Sequence, residues 1–224
     1  MKKNNIILIG FMGVGKGTVA RAMVKEVQEV GLKSHFRMGG KEEVCGNGTL
    51  VPYKNKAGTE VPVPNEGNKE AGMVGINSHF QYVIDTDDLI ESMENRAIKK
   101  IFAVDGEAYF RNLEKKTALW LESSVDNTII STGGGFYRQE NLKNIGTVIY
   151  LKSSFDGILK RIKKAPNAKN KLKKRPLLQN KKEAMKLYDT RVKEYERVAD
   201  IIVDVENRDL EFIVKEILGQ IKWR

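Results

Sequence analysis

Cysteine is all but absent: Cys45 is the only one in 224 residues, so no disulfide can form within the chain and no cysteine cluster is available to hold a metal. No apolar run is long enough to span a bilayer, and Met1 to Asn5 carry neither the hydrophobic segment nor the cleavage site of a signal peptide. A cytoplasmic protein without membrane contact is therefore expected. Aromatic residues amount to only 8% and are not interleaved with basic ones, which bears on the net charge of +10. Much of that excess is lysine alternating with Glu and Asp on solvated helix faces, so no nucleic-acid surface is expected. A cleft for anionic ligands accounts for the charge equally well. With 41% hydrophobic residues the chain can bury one substantial core, and it reads as a single domain, 1–224, carrying an insertion.

What is present begins with Gly10-Phe11-Met12-Gly13-Val14-Gly15-Lys16-Gly17-Thr18. The apolar run Ile6 to Ile9 precedes this stretch and a segment of helical periodicity follows it, which is the context a phosphate-binding loop requires. Backbone N–H groups of Gly13 to Thr18 can turn inward around a phosphate, the helix N-terminus adds its positive dipole end, and Lys16 can reach the outer phosphates. Gly17 departs from the usual pattern, in which Ser or Thr at that place puts a hydroxyl on magnesium; Thr18 stands one position later. The Gly-Lys-Gly-Thr ending is similar to that of nucleoside monophosphate kinases of the adenylate kinase type.

Downstream, Met23, Val27 and Val30 recur at helical spacing. From about 31 to 79 the periodicity fades, and Thr49–Tyr53 with Thr59–Val63 read as a short hairpin that its prolines confine to edge pairing. Tyr82-Val83-Ile84 is a strand ending in Asp85-Thr86-Asp87. Carboxylates two apart at a strand end lie on one side of it, where one can address magnesium and the other a substrate hydroxyl; both can also cap the next helix. Gly106 to Glu114 enters a helix with Arg111 near its start. Thr128–Ser131 is a buried-type strand leading to Gly133-Gly134-Gly135, a turn that permits close backbone approach to a ligand or is simply tight. After a fourth strand, Val148–Leu151, and a helix from Phe155 to Ile162, the basic stretch 163–178 reads as a lid over phosphates or as a lysine-rich loop. A helix from about Lys182 to Val198 carries Arg191 and Tyr195. The strand Asp200–Val205 and an amphipathic helix bearing Leu210, Ile213, Val214, Ile217 and Ile221 close the chain.

Together these residues resemble a shikimate kinase. The resemblance is carried by Gly10 to Thr18, Asp85-Thr86-Asp87, Gly106-Glu107 with Phe110-Arg111, Gly133-Gly134-Gly135, Arg175-Pro176-Leu177-Leu178, and Arg191 with Tyr195 ahead of Ala199-Asp200, in the family's order. It covers the chain except about 31–79, which the family pattern lacks. It implies an α/β P-loop kinase fold, with a parallel sheet of about five strands and helices on both faces. It implies an enzyme that uses Mg2+ and ATP to phosphorylate the 3-hydroxyl of shikimate, in chorismate and aromatic amino-acid biosynthesis.

By position, the resemblance puts Lys16 on the transferring phosphates, with Gly13, Val14, Gly15, Gly17 and Thr18 around ATP. Asp85 supports magnesium through water, and Thr18 is a further candidate ligand. Asp87 contacts the substrate hydroxyl and accepts its proton. Arg111 and Arg191 bind the shikimate carboxylate, with Gly133, Gly134 and Gly135 beside the ring. Arg175 acts at the γ-phosphate as charge develops. Arg161 and the turn Glu206-Asn207-Arg208 fall where the family encloses adenine. The 31–79 insertion joins a helix to a strand, opposite the ligand edge, and is expected to serve a protein partner or self-association. Two other readings stay open. One is a different small-molecule kinase, for gluconate or a nucleoside monophosphate, which Gly17-Thr18 favours. The other is a non-catalytic ATP-binding relative that acts as a binding module.

Overall fold

Ile6–Ile9 (β1) is the kind of uninterrupted apolar strand that only a sheet covered on both faces can bury, and all four side chains are buried. The chain is described by a computed structural model over residues 3–37, 53–54, 60–61, 82–166, 168, 172, 176–178 and 180–221. After β1 come α1 (Lys16–Arg37), β2 (Tyr53–Lys54), β3 (Glu60–Val61), β4 (Tyr82–Asp85), α2 (Thr86–Glu94), α3 (Ile98–Val104), α4 (Gly106–Ser124) and β5 (Thr128–Ser131). Then follow α5 (Leu142–Ile145), β6 (Thr147–Lys152), α6 (Phe155–Lys164), α7 (Lys181–Val198), β7 (Ile201–Asp204) and α8 (Leu210–Gln220).

The main sheet has five parallel strands in the order β4-β5-β1-β6-β7, with Ile7 beside both Ile130 and Val148. The chain leaves β1, builds outward and back through β4 and β5 on one side, then crosses to β6 on the other. This reversal opens a crevice beyond the carboxyl end of β1, where α/β sheets bind ligands. Helices cover both faces: α1 and α8 pack on each other across one, and α7 reaches β6. Ile213, Val214 and Ile217 are the buried stripe of α8.

Three expected boundaries move. Helix α1 runs to Arg37, past the expected end near Val30, because no proline interrupts it and Leu32 and Lys33 are good helix formers. Residues 31–37 thus belong to the helix, not the insertion. Tyr53–Lys54 pairs antiparallel with Glu60–Val61, so Lys54 is in the ladder, not the turn; residues 49–52, 62–63 and most of the remaining insertion lie outside the described residues. Asp85 is the last residue of β4 and also the N-cap of α2. No helix among the described residues is long and apolar enough to cross a membrane.

One buried polar side chain fastens the opposite end of the sheet. Asn5, only 1% exposed, donates from Nδ2 to Val125 O and Ile145 O, each at 2.9 Å, and accepts from Thr128 N at 3.0 Å. Those groups have no water to turn to. Asn5→Ala is expected to cost about 2–4 kcal/mol in urea unfolding, because each buried partner left unpaired carries a desolvation penalty.

Candidate active site

The loop between β1 and α1 closes around Lys16. Its ammonium is buried and donates to Gly10 O at 2.8 Å and Phe11 O at 3.3 Å, inside the ring of carbonyls. Gly15 holds φ +109, a region side chains rarely adopt, and a Cβ there would collide with the Arg161 guanidinium. Phe11 locks the outside of the loop, edge-on to Tyr188 at 5.3 Å and Phe155 at 6.2 Å. Val14 is buried beneath it, its N–H donating to Phe11 O.

Facing the loop are the carboxyl ends of β4 and β5, where the register sets Asp85 opposite Ser131. Asp85 Oδ1 accepts from Asp87 N at 3.0 Å, and Oδ2 accepts from Ser131 Oγ at 2.8 Å. Thr86, fully buried, accepts from Gly133 N at 3.0 Å, which pins the three-glycine turn to the start of α2. Asp87 lies against Gly133 so closely that a Cβ on that glycine would strike its carboxylate. Burial first, and then the Asp85 charge, push the Asp87 carboxyl up to about 6; Lys16 pulls the other way. A carboxylate with that poise is suited to accepting a proton near neutral pH.

Two arginines complete the cleft. Arg111 on α4 is held by Glu114 (Nη1 to Oε2, 2.6 Å) and Glu107 (Nη2 to Oε1, 2.8 Å), and a Cβ on Gly135 would meet its guanidinium. Glu114 is buried, and burial raises its pKa against the pull of Arg111. Arg191 on α7 is 6% exposed, and its Nε has no hydrogen-bond partner among the described residues. A Cβ on Gly134 would stand 2.9 Å from Arg191 Nη1, and Gly134 O accepts from Tyr195 Oη at 2.6 Å.

A cleft of about 380 Å³ joins Gly13, Gly15, Lys16, Gly17, Thr18, Asp85, Asp87 and Gly134. Arg111 and Arg191 stand behind its glycine wall, at Gly135 and Gly134. Gly133 contributes by letting Asp87 approach, since its N–H is already taken by Thr86. Arg161 lines the cleft beside the loop, with burial holding its pKa below the usual range. Glu206 accepts from N and Oγ of Ser154, the N-cap residue of α6. Arg175 lies outside the described residues.

Ser131, Thr86 and Glu114 were not legible as site residues. Only Glu114 left a signal, standing three positions after Arg111 as Glu107 stands four before it, a helical ion-pair spacing. No group of three or more His, Cys, Asp or Glu able to hold a metal occurs among the described residues. The oxygen donors at the loop, one carboxylate and hydroxyls, fit a hard cation such as Mg2+, which takes few protein ligands and completes its shell with phosphate and water.

A phosphate loop and its lysine, facing a strand-end carboxylate pair in a parallel sheet, define a P-loop kinase. The shikimate kinase family model matches residues 77–222, and the chain belongs to the shikimate kinase family. The phosphate loop lies upstream of that match, so its assignment stands on its own geometry. Among curated relatives, shikimate kinase of Dictyoglomus turgidum is 37% identical over 144 residues, 62% of this chain and 81% of that protein. That of Helicobacter hepaticus is 29% identical over 213 residues, 95% of this chain and 93% of the relative. The crystal structure of shikimate kinase from Aquifex aeolicus superposes with a TM-score of 0.59 at 28% identity, covering 96% of this chain and 94% of that one.

Proposed function

We propose that this chain transfers the γ-phosphoryl group of ATP to the 3-hydroxyl of shikimate, forming shikimate 3-phosphate and ADP on the route to chorismate. The observation that carries this reading is Arg191: a buried guanidinium whose Nε has no partner among the described residues, set against Gly134, which lines the cleft that also holds Lys16 and Asp87. A buried guanidinium with one N–H left unpaired suits an anion. With Arg111 at Gly135, the two forks suit a carboxylate on a compact substrate whose hydroxyl reaches Asp87.

In this mechanism the loop amides and Lys16 hold the nucleotide phosphates, the lysine exchanging Gly10 O and Phe11 O for phosphate oxygens. Arg111 and Arg191 orient the acceptor, and Asp87 Oδ accepts the proton of its hydroxyl as the oxygen attacks the γ-phosphorus in line. Magnesium, held from Asp85 with Thr18 as a further candidate, would offset charge on the phosphates. Arg175 is assigned to the γ-phosphate by its position in the sequence. The connection from the end of α1 to the start of β4 leaves and enters at the sheet edge opposite the cleft, so a protein partner or second copy there would leave the substrate path open.

ADP release from Mg-ATP, followed in parallel with shikimate, gluconate and AMP, tests the reading. Turnover confined to shikimate is expected. Turnover with gluconate or AMP instead would assign a different kinase, and ATP binding without turnover on any acceptor would assign a binding module. Arg191→Gln is expected to raise KM for shikimate about 10–100-fold with a smaller change in kcat, the loss of a charge-assisted bond made in both ground and transition states. An unchanged KM would remove Arg191 from the carboxylate site.

A further inference from the structure

Gly17 leaves a gap in the phosphate loop's chemistry, since the residue after the loop lysine ordinarily supplies a hydroxyl to magnesium. The space for that side chain exists. The backbone at position 17 is not among the left-handed ones, and a Cβ there would stand 3.4 Å from Arg21 Nη1 and 3.7 Å from Ser131 Oγ, ordinary contacts. A hydroxyl therefore already stands beside the vacant position, contributed by a different strand. Ser131 is 2% exposed, and its Oγ donates to Asp85 Oδ2 at 2.8 Å. With its proton committed to the carboxylate, its oxygen lone pairs face no other described hydrogen-bond partner. Thr18 does not replace Gly17 geometrically: it lies about 100° further around the helix axis and is exposed.

We propose that Ser131, hydrogen-bonded to Asp85, supplies the oxygen for the magnesium of bound ATP that Gly17 cannot. The β5 hydroxyl and the β4 carboxylate form one unit, fixed by the direct register of Asp85 with Ser131. This inference rests on the Mg-ATP part of the function proposed above, not on the identity of the acceptor.

The test is the affinity for AMP-PNP measured by calorimetry with Mg2+ and again with EDTA, the ratio of the two constants reporting metal-dependent binding. No acceptor and no turnover enter this readout, so it stands or falls separately from the shikimate assignment. Ser131→Ala is expected to reduce the ratio about tenfold, the worth of one such oxygen contact. Ser131→Cys, which keeps the buried volume but offers a soft sulfur to a hard cation, is expected to do the same. Gly17→Ser should make Ser131 dispensable: in the Gly17→Ser, Ser131→Ala double variant the ratio returns to within about twofold of the parent, a coupling that a merely structural serine would not produce. An unchanged ratio in Ser131→Ala and Ser131→Cys overturns the proposal. So does an equal loss in both backgrounds, which would reduce Ser131 to a support for Asp85. A ratio lost in Thr18→Val and kept in Ser131→Ala would assign the ion to Thr18 instead.

Discussion

Lys16→Ala is expected to lower kcat/KM for phosphoryl transfer by at least about 10³-fold, because catalysis in this class consists of positioning and charge stabilisation, and this ammonium does both. The side chain donates to two loop carbonyls, Gly10 O at 2.8 Å and Phe11 O at 3.3 Å. Its loss should therefore cost the fold only about 1–2 kcal/mol, visible as a modest fall in Tm with the unfolding transition still cooperative. A second consequence follows from charge. Lys16 lowers the Asp87 pKa, so the residual activity of the variant should show an acid limb at higher pH than the parent. Near-normal turnover by Lys16→Ala would take the phosphate-loop assignment away.

Asp87→Asn is expected to reduce kcat about 10²–10⁴-fold, the usual worth of a positioned general base. The parent enzyme should lose activity as pH falls through about 6, where Asp87 takes up its proton. Stability should move the other way. The folded-state pKa is raised from 3.8 to about 6, so between those values the native state holds a proton that the unfolded state has released, and stability falls as pH rises through that window. Above it the ionised, buried carboxylate costs on the order of 2–3 kcal/mol. At pH 8 the Asn variant should therefore be more stable than the parent, while at pH 3 the two should converge. Urea unfolding at both pH values checks this. A variant that is both inactive and less stable at pH 8 would mean that Asp87 is a structural cap, not a charge held for chemistry.

The pairing of these effects explains what could be read in the chain and what could not. The five strands, the phosphate loop and the carboxylate pair are each local: an apolar run, a glycine spacing, an i and i+2 alternation at a strand end. Their physics is contained in a few consecutive residues, so Ile6–Ile9, Gly10–Thr18 and Asp85–Asp87 stand where they were expected. The end of α1 was misplaced because Gly31 and the fading periodicity read as a terminator, whereas a single glycine is tolerated inside a helix at a cost of about 1 kcal/mol. Asn5 carried no local signal, since three partners more than a hundred residues away give it its value.

By itself, then, the sequence determined the class of fold, the nucleotide loop and which residue types were available for transfer chemistry, because periodicity and spacing act over short range. The tertiary structure decided how those residues share work. Register alone puts Ser131 against Asp85 and beside Gly17, although the three lie on β5, β4 and α1. Burial, with the Asp85 charge beside it, turns Asp87 from an ordinary carboxylate into one poised near 6. The packing of α7 over the glycine turn leaves Arg191 Nε without a hydrogen-bond partner among the described residues. Desolvation and through-space charge depend on what surrounds a group, and that is settled only when distant segments meet.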